Sequence, residues 1–438
     1  MRRLNHFSDV DTDVVLKAAE QYGTPLYLYD ERVIADKCAA LLAMPRAYGL
    51  TVRFAMKANS TRAILRIIHG RGLKIDASSM NEVRRARAAG IPCGDILLTT
   101  QEAPAGQELL ALTEMILQGL KYNVCSLRQL YNIGDFAAKN KIPLAMRIHP
   151  GVGSGESVTR NTGDKYSCFG VHLSDIERAV AYAKDKGVAI DFAHVHIGSG
   201  ADPAAWRSNI DLELDIIERH FPDARTVSFG GGLKEARMPD EKPADIQELG
   251  RYAKEKLERF ARRTNRKLDM EIEPGNFVMA NAGFAVTRVI DKKRTGSDGL
   301  RFVVLDGGME INARPLFYAA RHPFYIVSKD GGLLFSEFDD RAKGGGPDGY
   351  QAVLVGKCCE SGDSQCLDPD GLNTPRDMRE PEIGDFAVIG GAGAYCSTMS
   401  PLNYNSHLQA PEILYTSGRE LKEIRARQTL EQLTANEI

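Results

Sequence analysis

The chain has 438 residues, more than one ordinary hydrophobic core accommodates, so we expect two domains. Its 43% apolar and 26% charged residues are typical of a soluble globular protein. With 56 Lys and Arg against 58 Asp and Glu, the chain lacks the basic excess of a nucleic-acid-binding protein, and we expect no nucleic-acid partner.

The first residues, MRRLNHFSDVD, contain no apolar run after their two arginines, so we expect no signal peptide. No window approaches the roughly 18 uninterrupted apolar residues of a membrane-spanning helix, so we expect no membrane span. The eight cysteines are scattered apart from the adjacent Cys358 and Cys359, and none stand in CxxC spacing. We therefore expect neither a zinc site nor a disulfide framework, and a reducing, cytoplasmic location.

Short β-rich runs alternate with amphipathic helical stretches from residue 50 to about residue 275. Eight such units over this length predict a (β/α)8 barrel. A doubly wound open sheet is the alternative, but it more often carries a GxGxxG turn after its first strand, and none is present. The predicted strands are Leu50–Met56, Leu73–Ser79, Asp95–Thr100, Leu120–Cys125, Leu144–His149, Phe192–Ile197, Thr226–Phe229 and Leu268–Glu273.

The pattern changes after about residue 284, where strand-like runs such as FAVTRVIDKKR and DFAVIGGAGAY follow one another without long helices. This predicts a C-terminal all-β domain, either a barrel or a sandwich. The predicted domains are a barrel over 30–283 and a β-domain over 284–438. The segment 1–29 is expected to pack with the β-domain.

Polar residues stand where the barrel strands end, which is where barrel enzymes carry their chemistry. Lys57 is either a snorkelling lysine or a reactive amine. His194 and His196 could form a metal pair, but no third ligand follows at a telling spacing, so we expect no metal. FGGGLK is either a plain turn or a phosphate cradle, and Glu273 either a salt-bridged carboxylate or a partner for a ring nitrogen. Together these groups meet the requirements of pyridoxal phosphate.

These motifs resemble those of the alanine-racemase-fold, or fold type III, pyridoxal-phosphate decarboxylases, nearly from end to end, and are most similar to those of the diaminopimelate decarboxylases. FAMKANS then contains the Schiff-base lysine Lys57, and IDASSMNEV supplies Asp76. HVHIGSG supplies a ring-stacking His196 and a phosphate-side Ser199. FGGGL supplies the phosphate glycines Gly230, Gly231 and Gly232, and EPGN supplies Glu273, Gly275 and Asn276.

The resemblance also assigns residues of the β-domain. RPLFY supplies the substrate-binding Arg314 and Tyr318, and GAYCSTMSPLNYN supplies Tyr395 beside the cofactor and substrate. CESGD supplies a proton-donating Cys359 and a substrate-contacting Glu360 to the neighbouring subunit, which implies a homodimer with shared active sites.

The implied activity is decarboxylation of an amino acid, with meso-diaminopimelate to L-lysine, a step of lysine biosynthesis, as the first candidate. One departure bears on the substrate: the family's EPGR is EPGN here, so Asn276 replaces an arginine that helps hold the substrate's distal carboxylate. Two alternatives stay open. One is a decarboxylase of the same fold for D-lysine, D-ornithine, carboxynorspermidine or a siderophore intermediate. The other is a non-catalytic pyridoxal-phosphate-binding homologue.

Overall fold

A computed structural model describes residues 10–154, 161–198, 203–340 and 349–438. The chain divides into two compact units. The first, here called the barrel unit, comprises Lys37–Glu235 and Pro243–Phe277. The second, here called the sheet unit, comprises the residues up to Asp36, Ala236–Lys242 and Val278–Ile438.

The strands in the described part of the chain are β1 Leu26–Asp30, β2 Leu50–Ala55, β3 Lys74–Ala77, β4 Ile96–Thr99, β5 Lys121–Val124, β6 Leu144–His149, β7 Val171–His172, β8 Ile190–His194, β9 Thr226–Ser228, β10 Asp269–Ile272, β11 Gly283–Arg294, β12 Arg301–Leu305, β13 Phe324–Val327, β14 Leu333–Ser336, β15 Gln351–Val355, β16 Arg376–Asp377, β17 Phe386–Ile389, β18 Glu412–Tyr415 and β19 Leu421–Arg425.

The helices are α1 Thr12–Tyr22, α2 Glu31–Leu42, α3 Arg62–Gly70, α4 Met80–Ala88, α5 Gln107–Leu117, α6 Leu127–Asn140, α7 Leu173–Lys186, α8 Pro203–His220, α9 Ile246–Thr264, α10 Asn276–Met279, α11 Arg314–Tyr318, α12 Glu337–Asp340 and α13 Leu430–Thr434. Helix starts follow their capping residues: Ser126 accepts from the Gln129 amide before α6, and Asp245 accepts from two amides before α9. None of the helices described is long and apolar enough to cross a membrane.

The barrel unit contains a closed ring of eight parallel strands in the order β2, β3, β4, β5, β6, β8, β9 and β10, with β10 pairing back to β2. The predicted (β/α)8 barrel is confirmed, and each predicted strand overlaps a strand of the ring. The short β7 lies outside the ring and pairs in parallel with β6. Because all eight strands run the same way, the residues at their carboxyl ends share one edge of the barrel.

The sheet unit contains a ten-stranded sheet, which confirms the predicted all-β character of the C-terminal part. β1 is an interior strand of this sheet, and it pairs antiparallel with β11 on one side and parallel with β18 on the other. Apolar residues of α1, such as Val14 and Val15, pack in one core cluster with sheet residues such as Leu28 and Phe284. The domain boundaries drawn from the sequence stay a prediction.

Candidate active site

Lys57 and Asp76 stand at the ends of neighbouring barrel strands. Lys57 lies in the single 3-10 turn that follows β2, and its side chain is 46% exposed. Its Nζ lies 3.8 Å from Oδ2 of Asp76, a residue of β3 that is 2% exposed. Burial, followed by the negative charge of Glu273, raises the pKa of Asp76 to about 8, although Lys57 opposes the shift. The site therefore combines an accessible amine with a carboxyl group that is largely protonated at neutral pH.

Glu273 is a buried carboxylate held between two neighbouring strands. Its Oε1 accepts a hydrogen bond of 2.7 Å from the Ser228 hydroxyl, and its Oε2 lies 3.1 Å from Nε2 of His194. Burial alone would raise the pKa of Glu273. The electrostatic interaction and contact with His194, with the Ser228 hydrogen bond, outweigh burial and hold that pKa well below its usual range. Glu273 is therefore ionised throughout the physiological pH range.

His194 of β8 is positioned by a residue of β5, which lies two strands away in the ring. Its Nδ1 lies 2.8 Å from Nδ2 of Asn123, which also donates to the Thr99 hydroxyl at 3.2 Å. An amide NH2 group can only donate, so it favours the tautomer of His194 in which Nδ1 is the acceptor and Nε2 carries the proton. Nε2 of His194 lies 3.1 Å from the Glu273 carboxylate, so these contacts place the imidazole directly beside it.

His196 is fixed as a neutral imidazole beside the glycine run. Its Nδ1 accepts a hydrogen bond of 3.2 Å from the Gly231 amide. Burial, with the nearby charges of Arg147 and Lys57, lowers the pKa of His196 well below its usual value. A neutral ring can lie flat against an aromatic ligand without introducing a second positive charge next to Lys57.

The glycines at 230 and 231 are required by close contacts. Gly230 has φ +67°, and a Cβ there would lie 2.8 Å from the Val195 carbonyl oxygen. A Cβ on Gly231 would lie 2.6 Å from the Glu273 carbonyl oxygen. The Gly230 amide donates to Ser228 Oγ at 3.2 Å, and the Gly231 amide donates to His196 Nδ1. Two of the three amides predicted to bind phosphate therefore have partners within the protein.

The other predicted residues of the barrel unit lie at the same strand ends or outside the described ranges. Gly275 follows Glu273 after one proline, and the half-buried Asn276 begins α10. Gly232 has φ +90° and ends the glycine run. Ser199 lies outside the described residues.

The chemical character of this edge fits pyridoxal phosphate. In the described part of the barrel unit, Oδ1 of Asp76 and Nε of Arg147 are buried polar atoms without a hydrogen-bond partner. Such atoms cost free energy unless a ligand or water satisfies them. The same edge offers an amine, an ionised carboxylate and a neutral imidazole, which suit an aldehyde, a pyridinium nitrogen and a ring face respectively.

In the sheet unit, Arg314, Tyr318 and Tyr395 form one cluster. Arg314 is buried, and its guanidinium carbon lies 5.9 Å from the Tyr318 ring centroid and 6.0 Å from that of Tyr395. Tyr395 has φ +61°, a left-handed conformation that is uncommon for a residue with a side chain. The cluster thus brings together the predicted carboxylate-binding arginine and two phenol hydroxyls.

Cys359 and Glu360 lie on an exposed segment of the same unit. The Cys359 amide donates to Asn405 Oδ1 at 2.8 Å, and Tyr404 donates to Glu360 Oε2 at 3.4 Å. The CESGD and PLNYN motifs are therefore in contact, although they are far apart in the sequence. Both Cys359 and Glu360 present their side chains at the surface of the chain.

Sequence reasoning missed the residues that control Glu273. His194 was considered only as half of a metal pair, and Ser228 and Asn123 were not singled out. A weak signal existed, since each is a polar residue in the last half of a barrel strand, where an apolar residue is expected.

Comparison with known proteins agrees with this geometry. The sequence model described as "Pyridoxal-dependent decarboxylase, pyridoxal binding domain" matches residues 33–280, more than half of the chain. The chain belongs to the pyridoxal-dependent decarboxylase family. The resemblance seen in the motifs is thereby confirmed, and the chain is a decarboxylase rather than a non-catalytic homologue.

Individual decarboxylases of this family match the chain over almost its whole length. Diaminopimelate decarboxylase of Escherichia coli (strain K12) is 30% identical over 434 residues, which cover 98% of both chains. Diaminopimelate decarboxylase of Streptomyces coelicolor is 32% identical over 427 residues, 96% of this chain and 91% of that protein. A crystal structure of a diaminopimelate decarboxylase superposes with a TM-score of 0.87, 29% identity and 99% coverage of both chains. The chain is thus a decarboxylase similar to the diaminopimelate enzymes in both units.

Proposed function

We propose that this chain binds pyridoxal phosphate and removes a carboxylate from an amino acid that carries a second, distal carboxylate, with meso-diaminopimelate as the substrate and L-lysine as the product. The observation that carries the proposal is Glu273, a buried carboxylate kept ionised on the same barrel edge as the accessible amine of Lys57. Support for the substrate comes from relatives of this name that match both units.

Four side chains would hold the cofactor. Lys57 offers its amine to the aldehyde carbon, Glu273 offers its charge to the ring nitrogen, and His196 lies against the ring face. The Gly230–Gly232 run and Ser199 would contact the phosphate. When bound, pyridoxal phosphate supplies an electron-accepting ring that stabilises the carbanion left behind by departing CO2.

Residues of the chain then determine where protons are held and where they are delivered. Glu273 keeps a proton on the ring nitrogen because its own pKa is held well below that of a pyridine. Neutral His196 supplies no proton at the ring face. The Cys359 thiol delivers one proton to Cα after CO2 has left, which yields an amine. A single, well-placed donor keeps the enzyme from exchanging Cα protons as a racemase does.

Substrate selection falls to Arg314, Tyr318, Tyr395, Glu360 and Asn276. The Arg314 guanidinium would bind the distal carboxylate with charge-assisted hydrogen bonds, with the phenols of Tyr318 and Tyr395 beside it. Asn276 adds amide donors without a charge. Glu360 would contact the amino group at the distal end.

A second candidate has one observation in its favour. Asn276 in place of arginine weakens the case for a distal carboxylate, which favours a mono-carboxylic substrate such as D-lysine or D-ornithine. The buried Arg314 favours the first candidate. Its positive charge can pair with a distal carboxylate but cannot pair with the amino group at the distal end of a mono-carboxylic substrate.

We also propose that the chain works as a homodimer with shared active sites. Cys359 and Glu360 are exposed on their own chain, as expected of side chains that complete the site of a neighbouring subunit.

Two measurements test the proposal. The purified protein is incubated with meso-diaminopimelate, L-lysine, L-ornithine, D-lysine and D-ornithine, and released CO2 is measured. We expect release from meso-diaminopimelate above all; release only from a mono-carboxylic amino acid would exclude the substrate but keep the cofactor chemistry. Separately, borohydride followed by peptide mass spectrometry should place the pyridoxyl label on Lys57, and a label on another lysine would contradict the assignment.

A further inference from the structure

A second cluster of reactive side chains lies in the sheet unit, apart from the residues assigned above. It consists of Glu310, Cys358 and Asp363, and one potential ligand atom from each lies within 4.8 Å of the others. Glu310 and Asp363 are buried, at 7% and 3% exposure, and Cys358 is half-buried. Two carboxyl groups and a thiol taken out of water together need compensating positive charge, of which the nearby Lys357 supplies a part.

Backbone amides hold the two carboxyl groups in position. Asp363 accepts from the Met309 amide at 2.6 Å and from the Cys358 amide at 2.7 Å. Glu310 Oε2 accepts from the Gly308 amide at 2.8 Å. A Cβ on Gly308 would lie 2.0 Å from Asp363 Oδ1, so this approach of the two segments depends on glycine. These bonds use one acceptor position on each Asp363 oxygen, so each of the two keeps a further lone pair for a ligand.

One atom of the cluster lacks any partner. Oε1 of Glu310 is buried and accepts no hydrogen bond from any residue in the described ranges. The other oxygen of the same carboxyl group faces the Cys358 sulfur at 3.6 Å. An unsatisfied oxygen on a carboxyl group more than nine-tenths buried indicates that a ligand belongs here.

The separation of the two ligand atoms matches a particular kind of ion. With a Zn–S bond of about 2.3 Å and a Zn–O bond of about 2.1 Å at the tetrahedral angle, sulfur and oxygen stand about 3.6 Å apart across zinc. The Cys358 thiol donates a hydrogen bond to Glu310 Oε2 with sulfur and oxygen 3.6 Å apart, so zinc could take the place of the proton without moving either atom. A thiol with two carboxylates suits zinc-type ions and not magnesium or calcium, which prefer oxygen alone.

We propose that Glu310, Cys358 and Asp363 form a binding site for a thiophilic divalent cation of the zinc type. The site differs from the expectation drawn from cysteine spacing, because its ligands come from two segments of the chain and only one is a cysteine. Binding replaces the S–H proton of Cys358 with the cation and releases that proton to solvent.

The cation would join the segment Gly308–Glu310 to the segment Cys358–Asp363. Cys358 is the immediate neighbour of Cys359, so an ion at this site also restrains the backbone that presents Cys359 and Glu360. The inference does not depend on which amino acid the enzyme decarboxylates.

The test titrates metal-free holoenzyme with Co²⁺ and then with Zn²⁺. Three quantities are measured: the metal bound per chain after gel filtration, the protons released in weak buffer, and the thiolate-to-cobalt charge-transfer band. The band is read from the difference spectrum between wild type and Cys358→Ser, in which the absorption of the cofactor cancels. We expect one cation per chain, at least one proton released, and displacement of cobalt by zinc. Absence of stoichiometric binding would overturn the proposal.

Matched variants locate the cation. Cys358→Ser and the isosteric Glu310→Gln should each weaken binding by about 10- to 100-fold or more. Cys359→Ser, which removes the adjacent thiol, and Cys168→Ser, which removes an exposed thiol of the barrel unit, should leave binding unchanged. Unweakened binding in both Cys358→Ser and Glu310→Gln, or loss of binding in Cys359→Ser alone, would contradict the assignment. Retained cofactor absorption reports that each variant is folded.

Discussion

His194 Nε2 lies 3.1 Å from Glu273 Oε2, and the two side chains are 1% and 6% exposed. The charge state of this pair decides whether Glu273 can keep a ring nitrogen protonated. A neutral replacement of the carboxylate should therefore damage turnover more than binding.

Glu273→Gln should retain cofactor and lose kcat by about 10²- to 10³-fold, the usual effect of removing one preorganised charge contact from a transition state. The loss falls on kcat because the charge is needed only as the carbanion forms. Ser228→Ala is the matched control: it removes one charge-assisted hydrogen bond but keeps the carboxylate, so it should cost less kcat than Glu273→Gln. Steady-state kinetics with saturating cofactor checks both. Near-normal kcat in Glu273→Gln would make the residue merely structural.

His194→Gln should shift the acid limb of the kcat profile to higher pH. Glu273 is active when ionised, and His194 helps to hold its pKa below the usual range. Without the electrostatic interaction with His194 the pKa of Glu273 rises, so protonation, and with it loss of turnover, begins at higher pH. The pH dependence of kcat for wild type and variant measures the shift. An unchanged acid limb with a uniformly lower kcat would show that His194 acts only in packing.

Two inactive proteins should restore activity when their subunits exchange. In a mixed dimer of Lys57→Ala and Cys359→Ala, one of the two sites has both wild-type residues, so random exchange should return roughly a quarter of wild-type activity. Lys57→Ala mixed with Glu273→Gln is the control. Both residues belong to the barrel unit of one chain, so no complete site forms. Demonstrated exchange without recovered activity would mean that Cys359 serves its own chain.

Asn276→Arg should lower KM for meso-diaminopimelate. A charge-assisted contact contributes on the order of 1.5 to 3 kcal/mol, which corresponds to about tenfold or more in KM. Asn276→Gln, which lengthens the side chain without adding charge, should leave KM nearly unchanged. Steady-state kinetics on both variants decides the matter. If arginine raises KM while turnover of a mono-carboxylic amino acid stays intact, the distal carboxylate is not part of the true substrate.

Glu213→Gln should stabilise the protein increasingly as pH rises. Glu213 is fully buried in α8, and burial, with the charge of Glu273, raises its pKa well above the usual value. Above about pH 4.3 the unfolded chain releases this proton while the folded chain keeps it, so wild type loses up to about 1.4 kcal/mol per pH unit that glutamine does not lose.

Thermal unfolding between about pH 5 and pH 8 measures this difference in stability. Glu177→Gln, at an exposed position on α7, is the control and should show no pH-dependent gain. A constant offset between wild type and Glu213→Gln across this range would show that Glu213 is ionised in the fold.

The barrel could be predicted from the sequence because each strand is a short apolar run bounded by an amphipathic helix. Lys57 and Glu273 could be placed on one edge because strand ends are visible in the sequence. The pairing of Glu273 with His194 could not. It depends on register: β8 pairs His194 with Ser228, and β9 pairs Ser228 with Glu271, two residues before Glu273. Such register is set by packing of the closed ring and leaves no local pattern.

The position of β1 has a consequence for synthesis of the chain. This strand is translated before the barrel strands, yet its two neighbours in the sheet, β11 and β18, lie beyond the whole barrel sequence. On the ribosome, both edges of β1 therefore stay unpaired until β11 has emerged, and one edge stays unpaired until Tyr415 of β18 has emerged. An apolar strand with open edges invites wrong pairing. We infer that the nascent chain is most vulnerable to aggregation between translation of the barrel and translation of β18, and that a chaperone which shields β1 would act in that interval.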